Sequence, residues 1–168
     1  MPQITINPAT PEDVTTVLAL IRGLAEYEHE PESATATAEQ LHEALFGPSP
    51  AAECAIAHLD SEVAGFALWF QNFSTWTGRP GLWLEDLFVW PHLRRHGVGR
   101  ALLQHLAAIC VERNYSRFEW SVLDWNEPSI NFYRSLGAVP MDEWTNFRLT
   151  GESLRKLGAE SPRPQGEG

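Results

Sequence analysis

Leu87-Phe88-Val89-Trp90-Pro91-His92-Leu93-Arg94-Arg95-His96-Gly97-Val98, running into Gly99-Arg100-Ala101-Leu102, is the stretch on which the reading of this chain turns. The apolar run before Pro91 reads as a buried strand. Leu102, Leu103, Leu106, Ile109 and Cys110 keep helical spacing and predict an amphipathic helix over 98–113. Between the two lies Arg-x-x-Gly-x-Gly. Gly97 and Gly99 let the backbone approach a ligand with no Cβ in the way. A helix opening at that point presents unbonded N–H groups and the positive end of its dipole. Arg94, Arg95, His96, Gly97, Val98, Gly99 and Arg100 are therefore expected to hold a phosphate or pyrophosphate. A bare helix-initiating turn carries the same short pattern, and only the flanking strand and helix favour the anion site. Gly-x-x-x-x-Gly-Lys-Ser/Thr is not matched, nor is Gly-x-Gly-x-x-Gly, because Leu102 stands where the third glycine would be.

Outward from this loop, Ile4-Thr5-Ile6 reads as a first strand. Thr10-Pro11-Glu12-Asp13 resembles a capped helix start, and the periodicity of Val14, Val17, Leu18, Ile21, Leu24 and Ala25 runs to about Tyr27. An acidic loop over 28–37 and a helix over 38–46 follow. The runs 54–59 and 63–70 form a hairpin, and the loop 72–80 leads to the strand 82–89. Beyond the helix at 98–113 come a strand at 117–123, a helix at 128–136 stopped by Gly137, and a last strand over Trp144–Leu149. The order β-α-α-β-β-β-α-β-α-β predicts an α/β fold: a mixed central sheet with helices on both faces. Residues 1–157 make one domain, and 158–168 have too little apolar content to order themselves.

With 168 residues and 43% hydrophobic content the chain can bury a substantial core. It has no apolar run of membrane-spanning length and no leader-like N-terminus, so a soluble cytoplasmic protein is expected. The net charge of −10 argues against a nucleic-acid partner and suits a cationic substrate. Cys54 and Cys110 sit in apolar surroundings and read as buried free thiols. The six histidines show no ligand spacing with them, so no metal site is expected.

The second informative stretch is Asp124-Trp125-Asn126-Glu127-Pro128-Ser129-Ile130-Asn131-Phe132-Tyr133. Asn126 can accept from the first-turn amides of the helix while its amide reaches a ligand. Tyr133 alone reads as core packing. Together with the loop at 94–99, Asn-x-x-x-x-x-Phe-Tyr-x-x-x-Gly resembles the signature of the GNAT superfamily of N-acetyltransferases. Leu24-Ala25-Glu26-Tyr27-Glu28, Trp83-Leu84-Glu85-Asp86-Leu87-Phe88-Val89 and Asp124-Trp125-Asn126 sharpen this resemblance to the diamine (spermidine/spermine) N-acetyltransferase family. The match runs from about Ile4 to Leu157. Ser74-Thr75-Trp76 is closest to its thialysine N-acetyltransferase branch; the polyamine branch has an aspartate in place of Ser74.

The resemblance implies the GNAT fold, acetyl-CoA as co-substrate, a homodimer and a small cationic amine as acceptor. It implies cofactor contacts from Leu87, Phe88, Val89, Asn126, Ser129 and Tyr133, with the Tyr133 hydroxyl facing the leaving thiolate. It also implies that Tyr27 and Glu28 bind the amine. The chemistry needs a base, because a lysine-like amine is protonated at neutral pH. Glu85, on an otherwise apolar strand, is the expected base. Backbone N–H groups near Leu87–Val89 are expected to hold the acetyl oxygen. Asp86 reads equally as a structural ion pair or a substrate contact, since neighbours on a strand share a face only at a bulge. Trp76 and Trp144 read as aromatic walls for a cation or as core. A protein or peptide N-acetyltransferase and a catalytically silent acyl-CoA-binding regulator are the alternatives; the retained Glu85 and Tyr133 speak against the latter.

Overall fold

The computed structural model of the chain describes residues 1–162. They pack as two compact units, one from Met1 to Trp125 and one from Asn126 onward. The first holds a five-stranded mixed sheet of β1 (Ile4–Pro8), β2 (Glu53–Leu59), β3 (Glu62–Ser74), β4 (Arg79–Val89) and β5 (Phe118–Trp120), in that spatial order. The first three pairings are antiparallel and β4–β5 is parallel. Its helices are α1 (Val14–Tyr27), α2 (Ala38–Phe46) and α3 (Val98–Glu112), the last being the crossover that a parallel pairing demands.

The strands alternate. Cys54 and Ile56 of β2, Phe66 and Leu68 of β3 and Phe88 of β4 meet Val17 and Leu20 of α1 and Leu45 of α2 in one core. Ala55, Ala57, Ala67, Trp69 and Leu84 are buried on the opposite face, which takes Leu102, Leu103 and Leu106 of α3. Both cysteines are buried free thiols, and burial pushes the Cys54 thiol up to about 12. The hairpin of β3 and β4 is longer than its sequence suggests. Most of the stretch read as a loop at 72–80 is strand, and only 75–78 turn. The strand expected over 117–123 shrinks to three residues.

In the second unit, α4 (Glu127–Ser135) starts at Asn126, whose Oδ1 accepts from the Ser129 amide at 3.4 Å. The strand expected over Trp144–Leu149 does not form. Within the described residues that segment has no ladder, and an apolar strand is stable only against a partner. A helix that the sequence did not announce, α5 (Gly151–Ala159), follows Thr150. Gly158 and Ala159, read as the start of an unordered tail, close it; residues 163–168 of that tail lie outside the described residues.

Candidate active site

The loop expected to hold a phosphate enters α3 through two left-handed residues. Gly97 caps α3 with φ +85°, and Arg95 two residues earlier has φ +67°. Left-handed positions in close succession fold the backbone so that its N–H groups converge into an anion-binding concavity. No side chain caps α3, so its first amides keep their bonding capacity for a ligand. A Cβ at Gly99 would meet nothing closer than Val89 Cγ2 at 4.0 Å, so the approach stays open. Arg95, His96 and Arg100 are exposed around the loop, while Val98 is buried as its hydrophobic anchor.

The adjoining strand is prepared in a complementary way. β5 pairs with β4 only from Leu82↔Phe118 to Leu84↔Trp120. Beyond Leu84, the edge of β4 that faces away from β3, carrying Leu87, Phe88 and Val89, has no ladder partner among the described residues. An extended, amide-bearing ligand can pair with such an edge as a strand would. Loop and edge together suit a long acyl carrier with a phosphate end.

Between Leu84 and Asp86 the strand is irregular. Leu68 pairs with Asp86, but Trp69 pairs with Leu84, leaving Glu85 as an extra residue. A bulge of this kind breaks the strict alternation and lets neighbours turn to one side. Asp86 falls on the face of Phe66 and Phe88, under the end of α1. Glu85 is exposed, and its Oε2 accepts from Trp83 Nε1 at 3.1 Å. Glu28 caps the C-terminus of α1, its N–H donating to the Leu24 carbonyl at 2.9 Å. These three carboxylates feel one another. Burial, then the charges of Glu85 and Glu28, push Asp86 up to about 6. Burial, then Glu85, also raises Glu28. The bulge that lets neighbouring strand residues turn to one side is therefore present at Glu85 and Asp86, and no ion pair holds Asp86 among the described salt bridges.

Tyr27 stands beside Glu28, half-buried, with Trp125 tilted against it at 6.2 Å and the Arg94 guanidinium 4.6 Å above its ring. Trp76 is elsewhere. It is 85% exposed at the tip of the β3–β4 hairpin, and at ~3.3 Å per residue the strand puts roughly 20 Å between that tip and Asp86. Ser74 is buried there, its Oγ accepting from the Thr77 amide at 3.3 Å, so it closes the hairpin turn. In the second unit Asn126 is buried, Ser129 supplies the amide that Asn126 caps, and Tyr133 is half-buried on α4 with Phe132 tilted beside it at 5.8 Å. Trp144 lies in the irregular segment and is 68% exposed, which removes the core reading for it. The described residues contain no group of three or more metal-ligating side chains.

The Acetyltransferase (GNAT) family matches residues 18–138. The chain belongs to it. It is 33% identical to the thialysine N-epsilon-acetyltransferase of Sus scrofa, over 95% of this chain and 100% of the relative. It is 41% identical to an L-ornithine N5-acetyltransferase of Arabidopsis thaliana, over 58% of this chain and 43% of that one. Among solved structures, an integron cassette protein from the mobile metagenome of V. cholerae superposes with a TM-score of 0.77 at 26% identity, covering 94% of this chain and 98% of its own. The chain is thus an N-acetyltransferase, and enzymes of this family use acetyl-CoA as co-substrate.

Sequence reasoning missed two features. One is that the Arg94 side chain, an expected phosphate contact, lies over the Tyr27 ring. A network joining the start of β2 to the end of α3 also went unseen: Arg113 grips Glu53 through two N–H groups at 2.7 and 2.8 Å, and Trp69 Nε1 donates to the same carboxylate at 3.1 Å. Partners this far apart in the chain leave no local pattern to read.

Proposed function

We propose that this enzyme acetylates the distal primary amine of a small cationic acceptor, first of all a lysine-like amino acid such as thialysine, with ornithine-like and diamine acceptors behind it. The observation that carries this reading is the convergence of Glu28, Glu85 and Asp86 at the β4 bulge. Three carboxylates brought together are costly unless a cation sits among them. Relatives that act on thialysine and ornithine support the choice of a small amine.

Acetyl-CoA supplies an acetyl group activated as a thioester. The backbone of residues 95–100 holds its phosphates, and Leu87, Phe88 and Val89 align its arm along β4. Asp86 and Glu28 hold the acceptor ammonium. Glu85 removes one proton from it, directly or through a water, and the freed nitrogen attacks the acetyl carbon. Backbone N–H groups near Leu87–Val89 stabilise the negative charge developing on the acetyl oxygen. The C–S bond breaks as the Tyr133 hydroxyl on α4 provides a proton to the departing sulfur, and the second proton that the nitrogen sheds in becoming an amide returns to Tyr133 through solvent. Holding both reactants in register can supply ~7–11 kcal/mol of the barrier. Trp76 and Trp144 are proposed to line the acceptor only in a homodimer, which is also the assembly we propose, in the cytoplasm.

A panel of thialysine, ornithine, putrescine, spermidine and a lysine-containing peptide, followed by thiol release from acetyl-CoA, tests the reading. The highest kcat/KM is expected for the amino acids. Preference for the peptide or for an uncharged acceptor would overturn the substrate assignment and leave the acetyl-CoA chemistry standing.

A further inference from the structure

Arg94 opens the Arg-x-x-Gly-x-Gly loop, yet its side chain turns back from it. The Nε donates to the Val89 carbonyl at 3.0 Å, at the end of β4. The guanidinium lies 4.6 Å over the Tyr27 ring and 5.7 Å from that of Phe88. Phe88 in turn stands edge-on to Trp90 at 5.2 Å, and Tyr27 and His29 both pack on Trp125, at 6.2 and 5.3 Å. One half-buried side chain thus joins the mouth of the phosphate loop, the β4 edge and the end of α1 that carries Glu28. With its Nε engaged and its guanidinium over an aromatic ring, Arg94 has only its two terminal nitrogens left to offer a phosphate. Arg95 and Arg100, both exposed, are freer to hold one.

We infer that Arg94 is a positioning residue that couples the co-substrate loop to the amine end of the site: ordering of residues 94–99 by CoA is passed through the Arg94–Tyr27 stack to the Tyr27–Glu30 segment. The physical requirement is a contact favoured in one loop state over another, and the Arg94 side chain, bonded to the end of β4 and lying over Tyr27, is the contact to which the inference assigns that role. Coupling of this kind is reciprocal, so an amine bound beside Glu28 tightens CoA by the same factor. The inference rests on the proposed acetyl-CoA and amine sites.

The test reads hydrogen exchange at Glu28, His29 and Glu30, whose amides donate to the carbonyls of Leu24, Glu26 and Ala25 at 2.9, 3.1 and 2.8 Å. CoA itself is the probe, with saturation established by thermal shift. In the wild type, saturating CoA should slow these amides by roughly fivefold or more, the lower range of measured couplings. In Arg94→Gln the slowing should vanish although CoA still saturates the protein. Tyr27→Phe keeps the ring and should keep the slowing, whereas Tyr27→Leu should lose it. In kinetics, Arg94→Gln should raise the amine KM well above any change in the acetyl-CoA KM. Arg94→Lys, which keeps a cation over the ring but not the planar fork, should recover part of the loss. Undiminished slowing in Arg94→Gln, or a weakened CoA affinity with the amine KM untouched, would make Arg94 an ordinary phosphate ligand and overturn the inference. Wild-type protein that binds CoA without slowing these amides overturns it too. A wild type with no CoA thermal shift overturns the co-substrate assignment along with it, and the missing shift tells the two failures apart.

Discussion

Asp86 sets the strongest single-residue expectation. An ordinary aspartate titrates near 3.8; burial and the neighbouring charges of Glu85 and Glu28 push this one up to about 6. A carboxyl raised on folding stabilises the native state fully below its unfolded value, and that contribution is lost as pH rises through the folded value. Above pH 6 the free enzyme therefore carries a charge that costs on the order of 1–3 kcal/mol. Asp86→Asn should raise the melting temperature of the free protein most at pH 8, by roughly half as much at pH 5, where the unfolded carboxyl is already ionised, and raise the amine KM tenfold or more. Melts that shift equally at both pH values would contradict the assignment. The chemistry itself is tested by two further variants. Glu85→Gln should cost ~10²–10⁴-fold in kcat/KM. Tyr133→Phe should lower kcat with a smaller change in amine KM, since its contact strengthens as the sulfur leaves. Wild-type rates in both would refute these roles.

At the scale of elements, the approach of α1 to the end of β4 depends on Gly23. A Cβ there would lie 2.6 Å from Trp90 Cζ3 and 2.8 Å from Phe88 Cε1. Alanine in a helix interior gains about 1 kcal/mol over glycine from propensity, whereas overpacking costs ~1–3 kcal/mol. Trp90 and Phe88 are locked edge-on to each other and yield little, so the clash should win. Gly23→Ala should show a net loss of stability in urea and a raised amine KM, because α1 carries Tyr27 and Glu28. A stabilised variant would mean that the helix has room to move. The same scale explains the acid cluster: Glu28 comes from a helix end and Glu85 and Asp86 from a strand. Only the bulge beside Leu68 aims them together. Repeating hydrophobic patterns announce a strand but do not announce where one residue will be extra, because the irregularity lies in the pairing with β3.

For the molecule as a whole, the described part of the second unit leaves many large apolar side chains exposed. Phe147 is 96% exposed, Trp144 68%, Met141 61% and Leu157 60%. Apolar surface of this kind is what an interface between copies buries. Sedimentation of the wild type is expected to give a dimer, and Phe147→Asp with Trp144→Ser should shift it to monomer and lower activity. A monomeric wild type with full activity would remove the dimer and, with it, any part for Trp76 and Trp144 in the acceptor site.

The sequence by itself determined the class of fold, the loop at 94–99 and the family. These rest on local patterns: alternation and helical periodicity mark β2, β3, β4, α1 and α3, and Gly97 stands where a left-handed turn must enter a helix. Glu28, Glu85, Asp86 and Tyr133 could be proposed as chemistry for the same reason, each lying within a short motif. Tertiary structure alone decided which of them meet. It brought Glu28 to the β4 carboxylates, turned Arg94 onto Tyr27, put Ser74 and Trp76 at a distant hairpin tip, and left Trp144–Leu149 without a strand partner. Those outcomes depend on pairing register and on contacts between residues far apart in the chain, and short-range spacing carries no record of either.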